Sequence, residues 1–188
     1  MITGSRFHLR TIMEKDLDDL VVLLGDVSGQ GDFLPVRLVS QSHLRETFDK
    51  DGFWTGNAKR LIMVDGDERI IGIIWIFRAV PYFDALELGY TLFAREHWGK
   101  GLTTEAVGLV VDYLFLSEPV NRLEIRCDVE NRASARVAEK LGFTHEGIAR
   151  QATFSRGRHH DMHQFALLRA DWLPPPEQRG AAAEPVSV

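Results

Sequence analysis

The sequence predicts an α/β or α+β fold, in which a mixed β-sheet is covered by helices. Three observations predict it. Residues 86–92 alternate apolar and polar side chains with the period of two that is typical of a strand. From residue 102 onward the apolar side chains recur at helical spacing, at Ala106, Val107, Val110 and Val111. Strand and helix patterns also interleave along the whole chain, as expected of helices packed on a sheet.

The first elements are predicted by apolar periodicity and by capping residues. Residues 7–11 form a strand, and residues 16–24 form an amphipathic helix with one apolar face. The Gly, Ser and Asp content of residues 25–35 predicts a loop. Ser40 can accept from the free N–H groups of a second helix, which continues to residue 50 and is ended by Gly52.

A β-hairpin is predicted next, because Asp65-Gly66 separates two apolar runs, residues 61–64 and 70–77. The second run is almost continuously apolar, which indicates a central strand covered on both faces. After the strand–helix unit of residues 86–116, the pattern predicts further strands at residues 123–129, 144–149 and 153–168, a turn near residues 156–158, and a short helix at residues 133–141. Prolines 174–176 stop regular structure, so we expect one domain over residues 1–173 and a disordered Pro/Ala-rich tail over residues 174–188.

Composition and charge exclude several classes of protein. The 188 residues carry a formal net charge of −5 with no basic block, which disfavours sequence-independent binding of nucleic acid. No run reaches the roughly 20 apolar residues that a membrane span requires. The single cysteine, Cys127, cannot form an intramolecular disulfide, as is typical of a reducing compartment. We therefore expect a cytoplasmic protein without nucleic-acid or membrane partners.

Two glycines, Gly99 and Gly101, stand between the strand and the helix of residues 86–116. Glycines allow the backbone to turn N–H groups toward a ligand at a helix N-terminus, where the helix dipole favours negative charge. This pattern predicts a phosphate site. The nucleotide P-loop requires Gly-Lys-Ser/Thr, which is absent, and the dinucleotide fingerprint requires a third glycine where Thr104 stands.

Residues 96–101, Glu-His-Trp-Gly-Lys-Gly, resemble the Gln/Arg-x-x-Gly-x-Gly/Ala motif of the GNAT superfamily of acetyl-CoA-dependent N-acetyltransferases; Glu96 departs from it. The continuation, Leu-Thr-Thr-Glu-Ala, is similar to the RimJ/RimL branch, which includes acetyltransferases of ribosomal-protein N-termini. Residues 131–134 (Asn-Arg-Ala-Ser) and 139–143 (Glu-Lys-Leu-Gly-Phe) resemble a second block of that branch, and residues 157–172 resemble a third.

The resemblance implies the GNAT fold: a mixed, mostly antiparallel twisted sheet of about seven strands flanked by about four helices, and splayed between the fourth and fifth strands. Those two strands are residues 86–92 and 123–129 here. The pyrophosphate of acetyl-CoA would meet the glycine loop, and the pantetheine arm would pair with the open strand edge as an added strand does. The implied cofactor-binding residues are Tyr90, Thr91, Leu92, Phe93, Trp98, Gly99, Lys100, Gly101, Leu102, Thr103 and Asn131. Asn131 could equally cap the following helix, and Lys100 could be an ordinary solvated cation.

The resemblance also implies an N-acetyltransferase, an acyltransferase in which an amine attacks acetyl-CoA directly in a ternary complex. Glu87 is the candidate base, acting through water; its alternative role is an ion pair with a cation on a neighbouring strand, such as Arg126. Many relatives carry a tyrosine that acts as the general acid at the position of Ala138, so Ser134 is the candidate acid here. The alternative role of Ser134 is that of an ordinary residue in the first turn of a helix. No covalent acetyl-enzyme is expected, since Cys127 has no evident activating partner.

The acceptor side is less defined by the sequence. Phe33 and Leu34 could form a wall of the acceptor pocket or could plug a loop onto the core. His159 lies on a polar hairpin face that we expect near the acceptor; with Asp161 and His163 it is too small a set for zinc, so no metal is expected. The acceptor is a protein N-terminal α-amine or a small-molecule amine, and the apolar edges of the C-terminal strands are compatible with a homodimer. The alternative function is a non-catalytic module that binds acyl-CoA or a peptide.

Overall fold

A computed structural model describes residues 1–26 and 31–175, and an eight-stranded sheet forms the centre of this part of the chain. The strands are β1 (Ile2–Thr3), β2 (His8–Thr11), β3 (Ala58–Val64), β4 (Ile70–Phe77), β5 (Ala85–Leu92), β6 (Arg122–Asp128), β7 (Thr144–Ser155) and β8 (Arg158–Leu168). The helices are α1 (Leu17–Gly25), α2 (Gln41–Asp51), α3 (Leu102–Ser117) and α4 (Arg132–Lys140).

The strands follow the spatial order β1-β2-β3-β4-β5-β6-β8-β7, and every neighbouring pair is antiparallel except β5–β6. The predicted mixed, mostly antiparallel sheet with four α-helices is therefore confirmed. The described residues contain eight strands, because Ile2–Thr3 pairs with β2 at the edge of the sheet. Two residues carry no measurable period, so the sequence pattern missed this strand. The parallel pair is consequently the fifth and sixth strands rather than the fourth and fifth.

Two apolar layers enclose the sheet. Successive side chains of a strand point to opposite faces, so the continuous apolar run of β4 serves both layers. Ile73 belongs to the cluster under α1 and α2, whereas Ile74 belongs to the larger cluster under α3 and α4. Both side chains are fully buried, which confirms the prediction of a central strand covered on two faces.

The helix ends agree closely with the capping residues. Ser40 Oγ accepts a hydrogen bond from the N–H of His43 at 3.3 Å, and Gly52 ends α2 in the left-handed conformation with φ of 62°. At the start of α1, Asp16 belongs to a short 3-10 turn, and its carboxylate accepts two hydrogen bonds from the Arg10 guanidinium on β2. This buried ion pair anchors α1 to the sheet.

The β3–β4 turn differs from the two-residue turn that Asp65-Gly66 predicts. The chain makes a wider loop, in which the Asp65 N–H donates to the Arg69 carbonyl and the Asp65 carbonyl accepts from the Glu68 N–H. The left-handed residue of this loop is Glu68, with φ of 62°. The Asp65 carboxylate organises this loop by accepting from the N–H groups of Asp67 and Arg69. The carboxylate thus supplies the turn geometry that glycine was expected to supply.

The C-terminal hairpin has a turn at residues 156–157, as predicted. The gap predicted between residues 149 and 153 is instead an irregularity within one long strand, where the register of β7 against β8 shifts. Part of the predicted loop of residues 25–35 and most of the predicted tail, residues 27–30 and 176–188, lie outside the described residues. Among the helices described, none is both long enough and apolar enough to cross a bilayer.

Candidate active site

The parallel strands β5 and β6 stay paired over a short distance and then separate. Their register consists of Ala85↔Arg122, Leu86↔Leu123 and Glu87↔Glu124. Beyond that point β5 stays in register with β4 as far as Leu92, and β6 stays in register with β8 as far as Asp128. The second half of each strand therefore turns one edge toward a gap, which confirms the predicted splay. Unpaired backbone groups at such an edge can bind an extended chain.

The glycine loop lies between the end of β5 and the start of α3. Gly99 and Gly101 have φ of 70° and 79°, and Gly101 is the N-cap of α3 without a side-chain cap. A Cβ at either glycine would meet no atom within 4 Å, so the backbone conformation, rather than space, requires glycine here. The first N–H groups of a sixteen-residue helix are thus presented at its positive end, as an anion site requires.

Residues distant in sequence support this loop. The Arg6 guanidinium donates to the carbonyl of Lys100 at 2.7 Å, and Glu105 in the first turn of α3 accepts from the backbone N–H and the hydroxyl of Ser5. The N-terminal segment therefore holds Glu105, the one acidic side chain in the first turn of α3, by two hydrogen bonds from Ser5. Sequence reasoning missed Arg6 and Ser5, because no local pattern links them to a loop near residue 100.

The side chains on the α4 side of the gap form a small polar cluster. Asn131 Oδ1 accepts from the N–H of Ser134 at 3.1 Å, so Asn131 does cap α4. The hydroxyls of Ser134 and Tyr90 lie 2.8 Å apart. Burial raises the pKa of Tyr90, although the hydrogen bond with Ser134 acts in the opposite direction, and the phenol therefore stays protonated. Burial also raises the pKa of the neighbouring Cys127 thiol.

The Tyr90–Ser134 contact was missed as a side-chain contact, since Tyr90 was expected to act through its backbone. The sequence does contain a signal for this contact. Tyr90 continues the alternation of Leu86 and Leu88, which places its side chain on the face of β5 that packs against α3 and α4. Among the other predicted cofactor residues, Thr91 points to the opposite face, Leu92 is buried in the core, and Phe93 donates its N–H to Ile71.

Glu87 points to the other face of the sheet, where it meets Arg126. The Arg126 guanidinium lies 3.2 Å from the Glu87 carboxylate and 2.8 Å from that of Glu124. The alternative predicted for Glu87, an ion pair with Arg126, is thus realised. Burial raises the pKa of Glu87; Arg126 opposes that shift and Glu124 adds to it, with a net rise. A carboxylate with a raised pKa is a better proton acceptor than an exposed one.

The predicted acceptor residues lie on two different segments. Phe33 is 41% exposed and Leu34 is half-buried, in a loop whose Gly31 carbonyl accepts from the Arg156 guanidinium at 2.6 Å. Gly31 also lies against the Trp98 ring, since a Cβ there would be 3.1 Å from it. The loop thereby connects the glycine loop to the turn of the β7–β8 hairpin.

His159 packs its ring against Phe154 and leaves β8 on the face opposite to its neighbour His160. His160, which sequence reasoning passed over, lies 2.5 Å from the carboxylate of Asp128 on β6. The structure therefore places His160, not His159, on the same face as Glu87. Within residues 1–26 and 31–175, no three His, Cys, Asp or Glu side chains converge as metal ligands would.

The comparisons with known proteins agree with this geometry. The family model described as an acetyltransferase (GNAT) domain matches residues 6–144. An uncharacterized N-acetyltransferase p20 of Bacillus licheniformis is 32% identical over 171 residues, which cover 89% of this chain and 96% of that protein.

Two solved structures share the fold. The ribosomal-protein-S5-alanine acetyltransferase from Vibrio fischeri superposes with a TM-score of 0.77 at 23% identity, over 92% of this chain and 98% of that one. The spermidine N-acetyltransferase from Vibrio cholerae, solved in complex with CoA and spermine, gives a TM-score of 0.75 at 22% identity, over 89% and 98% of the two chains. GNAT acetyltransferases use acetyl-CoA, and the matched residues include the glycine loop, the splayed strands and α4. The chain therefore belongs to the GNAT family of N-acetyltransferases.

Proposed function

We propose that this acyltransferase moves the acetyl group of acetyl-CoA to a primary amine by direct attack in a ternary complex. One observation supports the proposal most strongly. The gap between β5 and β6 opens beside the α3 N-terminus, and it has a carboxylate, Glu87, on one face and a hydroxyl, Ser134, on the other. This arrangement would provide an anion site, a slot for an extended arm, a proton acceptor for the amine and a hydrogen-bond donor for the leaving thiolate.

Acetyl-CoA would bind as a substrate along this gap. The N–H groups of residues 98–103 would receive the pyrophosphate, because they lie at the positive end of α3 and the two glycines turn them outward. The pantetheine arm would follow the open edge of β5, where backbone groups of residues 88–92 lack a partner strand on β6. Lys100, Trp98 and Asn131 would then border the ligand.

The attacking amine must be neutral, because an ammonium has no lone pair. An α-amine has a pKa of about 7.7–8.0 and a lysine amine about 10.4, so the α-amine needs less help at neutral pH. Glu87 would accept the proton, directly or through water, since burial raises its pKa and so makes its carboxylate a stronger proton acceptor. An N–H of residues 88–90 would stabilise the oxyanion of the tetrahedral intermediate.

The thiolate that leaves would be met by Ser134. The Tyr90 hydroxyl lies 2.8 Å from Ser134 Oγ, and it would donate to that oxygen and leave the serine hydrogen free to point toward the leaving sulfur. The hydroxyls of Tyr90 and Ser134 would thus replace the tyrosine that acts as the acid in many relatives, at whose position this chain has Ala138. Cys127 would not carry the acetyl group, because burial raises the pKa of its thiol and so disfavours the nucleophilic thiolate.

The acceptor would be a protein N-terminal α-amine or a small-molecule amine. The two solved relatives are named for a ribosomal-protein alanine and for spermidine, one from each class. Phe33 and Leu34 would form an apolar wall for the group that carries the amine. Residues 1–173 would make up the whole catalytic domain.

The proposal is tested by measuring free CoA release from acetyl-CoA with a panel of amines. The panel contains peptides with free N-termini, the same peptides with blocked N-termini and one lysine, and spermidine. We expect turnover with at least one free amine, and loss of that turnover in Glu87→Gln. Binding of acetyl-CoA without turnover on any amine would instead indicate a non-catalytic acyl-CoA-binding module.

A further inference from the structure

Five charged side chains of alternating sign form a row across β5, β6 and β7. We call them the charge ladder: Glu87, Arg126, Glu124, Arg122 and Glu146. Arg126 bridges Glu87 and Glu124 at 3.2 and 2.8 Å, and Arg122 contacts Glu124 at 2.7 Å and forms a second ion pair with Glu146. The register pairs Glu87 with Glu124, so the ladder lies on one face of the sheet, the face that carries Glu87.

The carboxylates of this face are already occupied. The strands β5 and β6 carry three of them: Glu87 pairs with Arg126, Glu124 pairs with both ladder arginines, and Asp128 is hydrogen-bonded to His160. Glu124 and Asp128 are buried. No carboxylate of these two strands is therefore left to hold a second ammonium group beside the reacting amine.

Arg126 is the only cation of the ladder that contacts Glu87 in the described structure. An amine that approaches Glu87 must approach this guanidinium as well. An acceptor with one amine can lose its charge to the base, but an acceptor with several ammonium groups keeps positive charge beside Arg126. Like charges placed next to each other disfavour binding of the wrong partner.

We propose that Arg126 is a specificity-determining residue, which excludes polycationic acceptors from the site opposite Glu87 and leaves it to acceptors with a single amine. The inference rests on the proposed function, because it concerns the acceptor of the same site. It goes beyond that function by assigning the choice between the two acceptor classes to one side chain.

The same contact tunes the base. The charged groups that act on Glu87 are Arg126 and Glu124, both on β6, while its partner on β4 is the uncharged Phe77. Arg126 lowers the pKa of Glu87 against the effects of burial and of Glu124. Removing the guanidinium charge therefore raises that pKa, and the acid limb of the activity profile moves to higher pH.

The test compares Arg126→Gln with Arg126→Lys, which keeps the charge, and with Arg69→Gln, an arginine in an exposed ion pair of the β3–β4 turn. Each variant is assayed with an uncharged peptide that has a free N-terminus and with spermidine. We expect Arg126→Gln to improve kcat/KM for spermidine relative to the peptide by about tenfold, mainly through KM. We also expect Arg126→Gln to move the acid limb of the activity–pH profile to higher pH. The other two variants should keep the wild-type ratio of kcat/KM for spermidine to kcat/KM for the peptide.

Spermidine binding to the CoA-loaded protein, measured by calorimetry, provides a readout that does not need turnover. We expect binding to be detectable in Arg126→Gln and weaker by about tenfold or more in the wild type. Equal use of both acceptors by the wild type, or an unchanged ratio and unchanged spermidine binding in Arg126→Gln, overturns the role of Arg126. Turnover with an unchanged ratio leaves the acetyltransferase proposal intact, whereas the absence of turnover on all amines contradicts that proposal separately.

Discussion

The sheet has a closed half and an open half, and they differ in pairing and in polarity. Strands β3 and β4 are antiparallel and stay in register from Ala58↔Phe77 to Met63↔Gly72, with apolar side chains packed on both faces. Strands β5 and β6 are parallel, leave register after Glu87↔Glu124, and carry the charge ladder on one face. The closed half follows the rules of a stable core, and the open half departs from them where the ligand must enter.

This difference teaches that stability and chemistry are divided between neighbouring strands of one sheet. The open half can leave backbone groups unpaired and carry a row of charged side chains because the closed half and α3 hold the structure together. Mutations in the open half should then change rates more than unfolding, and mutations in the closed half should do the reverse. The following predictions test that division, beginning with the largest expected effect.

Glu87→Gln should lower kcat/KM by about 100-fold or more, because it removes the proton acceptor and leaves the shape of the site intact. The unfolding midpoint should change little, since Arg126 keeps its contact with Glu124. Steady-state kinetics and thermal unfolding of the same sample measure the two effects. Glu46→Gln on the exposed side of α2 is the matched control, and a similar loss of activity there would contradict a specific role for Glu87.

Asp16→Asn should lower the free energy of unfolding by about 3 kcal/mol, because it leaves the buried Arg10 guanidinium without its counter-charge. Burial acts to raise the pKa of Asp16, but hydrogen bonds from Arg10 and from the Met13 N–H outweigh it and leave that pKa lowered. The ion pair thus stabilises the fold above the unfolded-state pKa, and its contribution disappears as the pH falls through the folded-state pKa.

Urea unfolding at several pH values measures this effect. The wild type should lose more stability on acidification than Asp16→Asn does, and the specific activity of the folded variant at neutral pH should be close to that of the wild type. A variant that stays as stable as the wild type but is inactive would contradict the division between the two halves.

Gly101→Ala should raise KM for acetyl-CoA about tenfold, because an L-residue at a left-handed position costs about 1–2 kcal/mol and the backbone would turn its N–H groups away. Gly66→Ala in the β3–β4 turn is the control, since Gly66 does not adopt the left-handed conformation and has open space around it. Equal effects of the two substitutions on KM would exclude a specific role for the Gly101 backbone.

Ser134→Ala should lower kcat about fivefold and leave acetyl-CoA binding almost unchanged, because it removes one hydrogen bond of about 1 kcal/mol to the departing sulfur. Tyr90→Phe should have a smaller effect in the same direction, since its hydroxyl acts through Ser134. Turnover of Ser134→Ala equal to that of the wild type would remove serine from the mechanism.

Much of this architecture follows from local patterns in the sequence. The apolar alternation predicts strands close to their observed ranges, and Ser40, Gly52 and Asn131 act at helix ends as their side chains and conformations dictate. Gly99 and Gly101 adopt the left-handed conformation that a glycine-rich anion loop requires. These features depend on residues that are close in sequence, so they can be read without a fold.

The remaining features depend on contacts between distant segments. Ser5 lies 100 residues before its partner Glu105, and Tyr90 lies 44 residues before Ser134. His160 rather than His159 faces Asp128, and that choice depends on the register of β8 against β6. A single-residue error in register exchanges the two faces of a strand, so sequence patterns do not decide such contacts.

The splay also gives the sheet two inner edges, one on β5 and one on β6, in addition to its two outer ones. Outer edges invite aggregation by strand pairing, and this protein protects both: β1 has only two residues, and β7 is interrupted by register shifts. The inner edge of β5 needs neither device. It is flanked by β6, so a strand of another molecule that carries its own sheet cannot reach it, while a single narrow chain can. The unpaired backbone groups on this edge of β5 are thus accessible to a ligand but not to a strand from another copy of the protein.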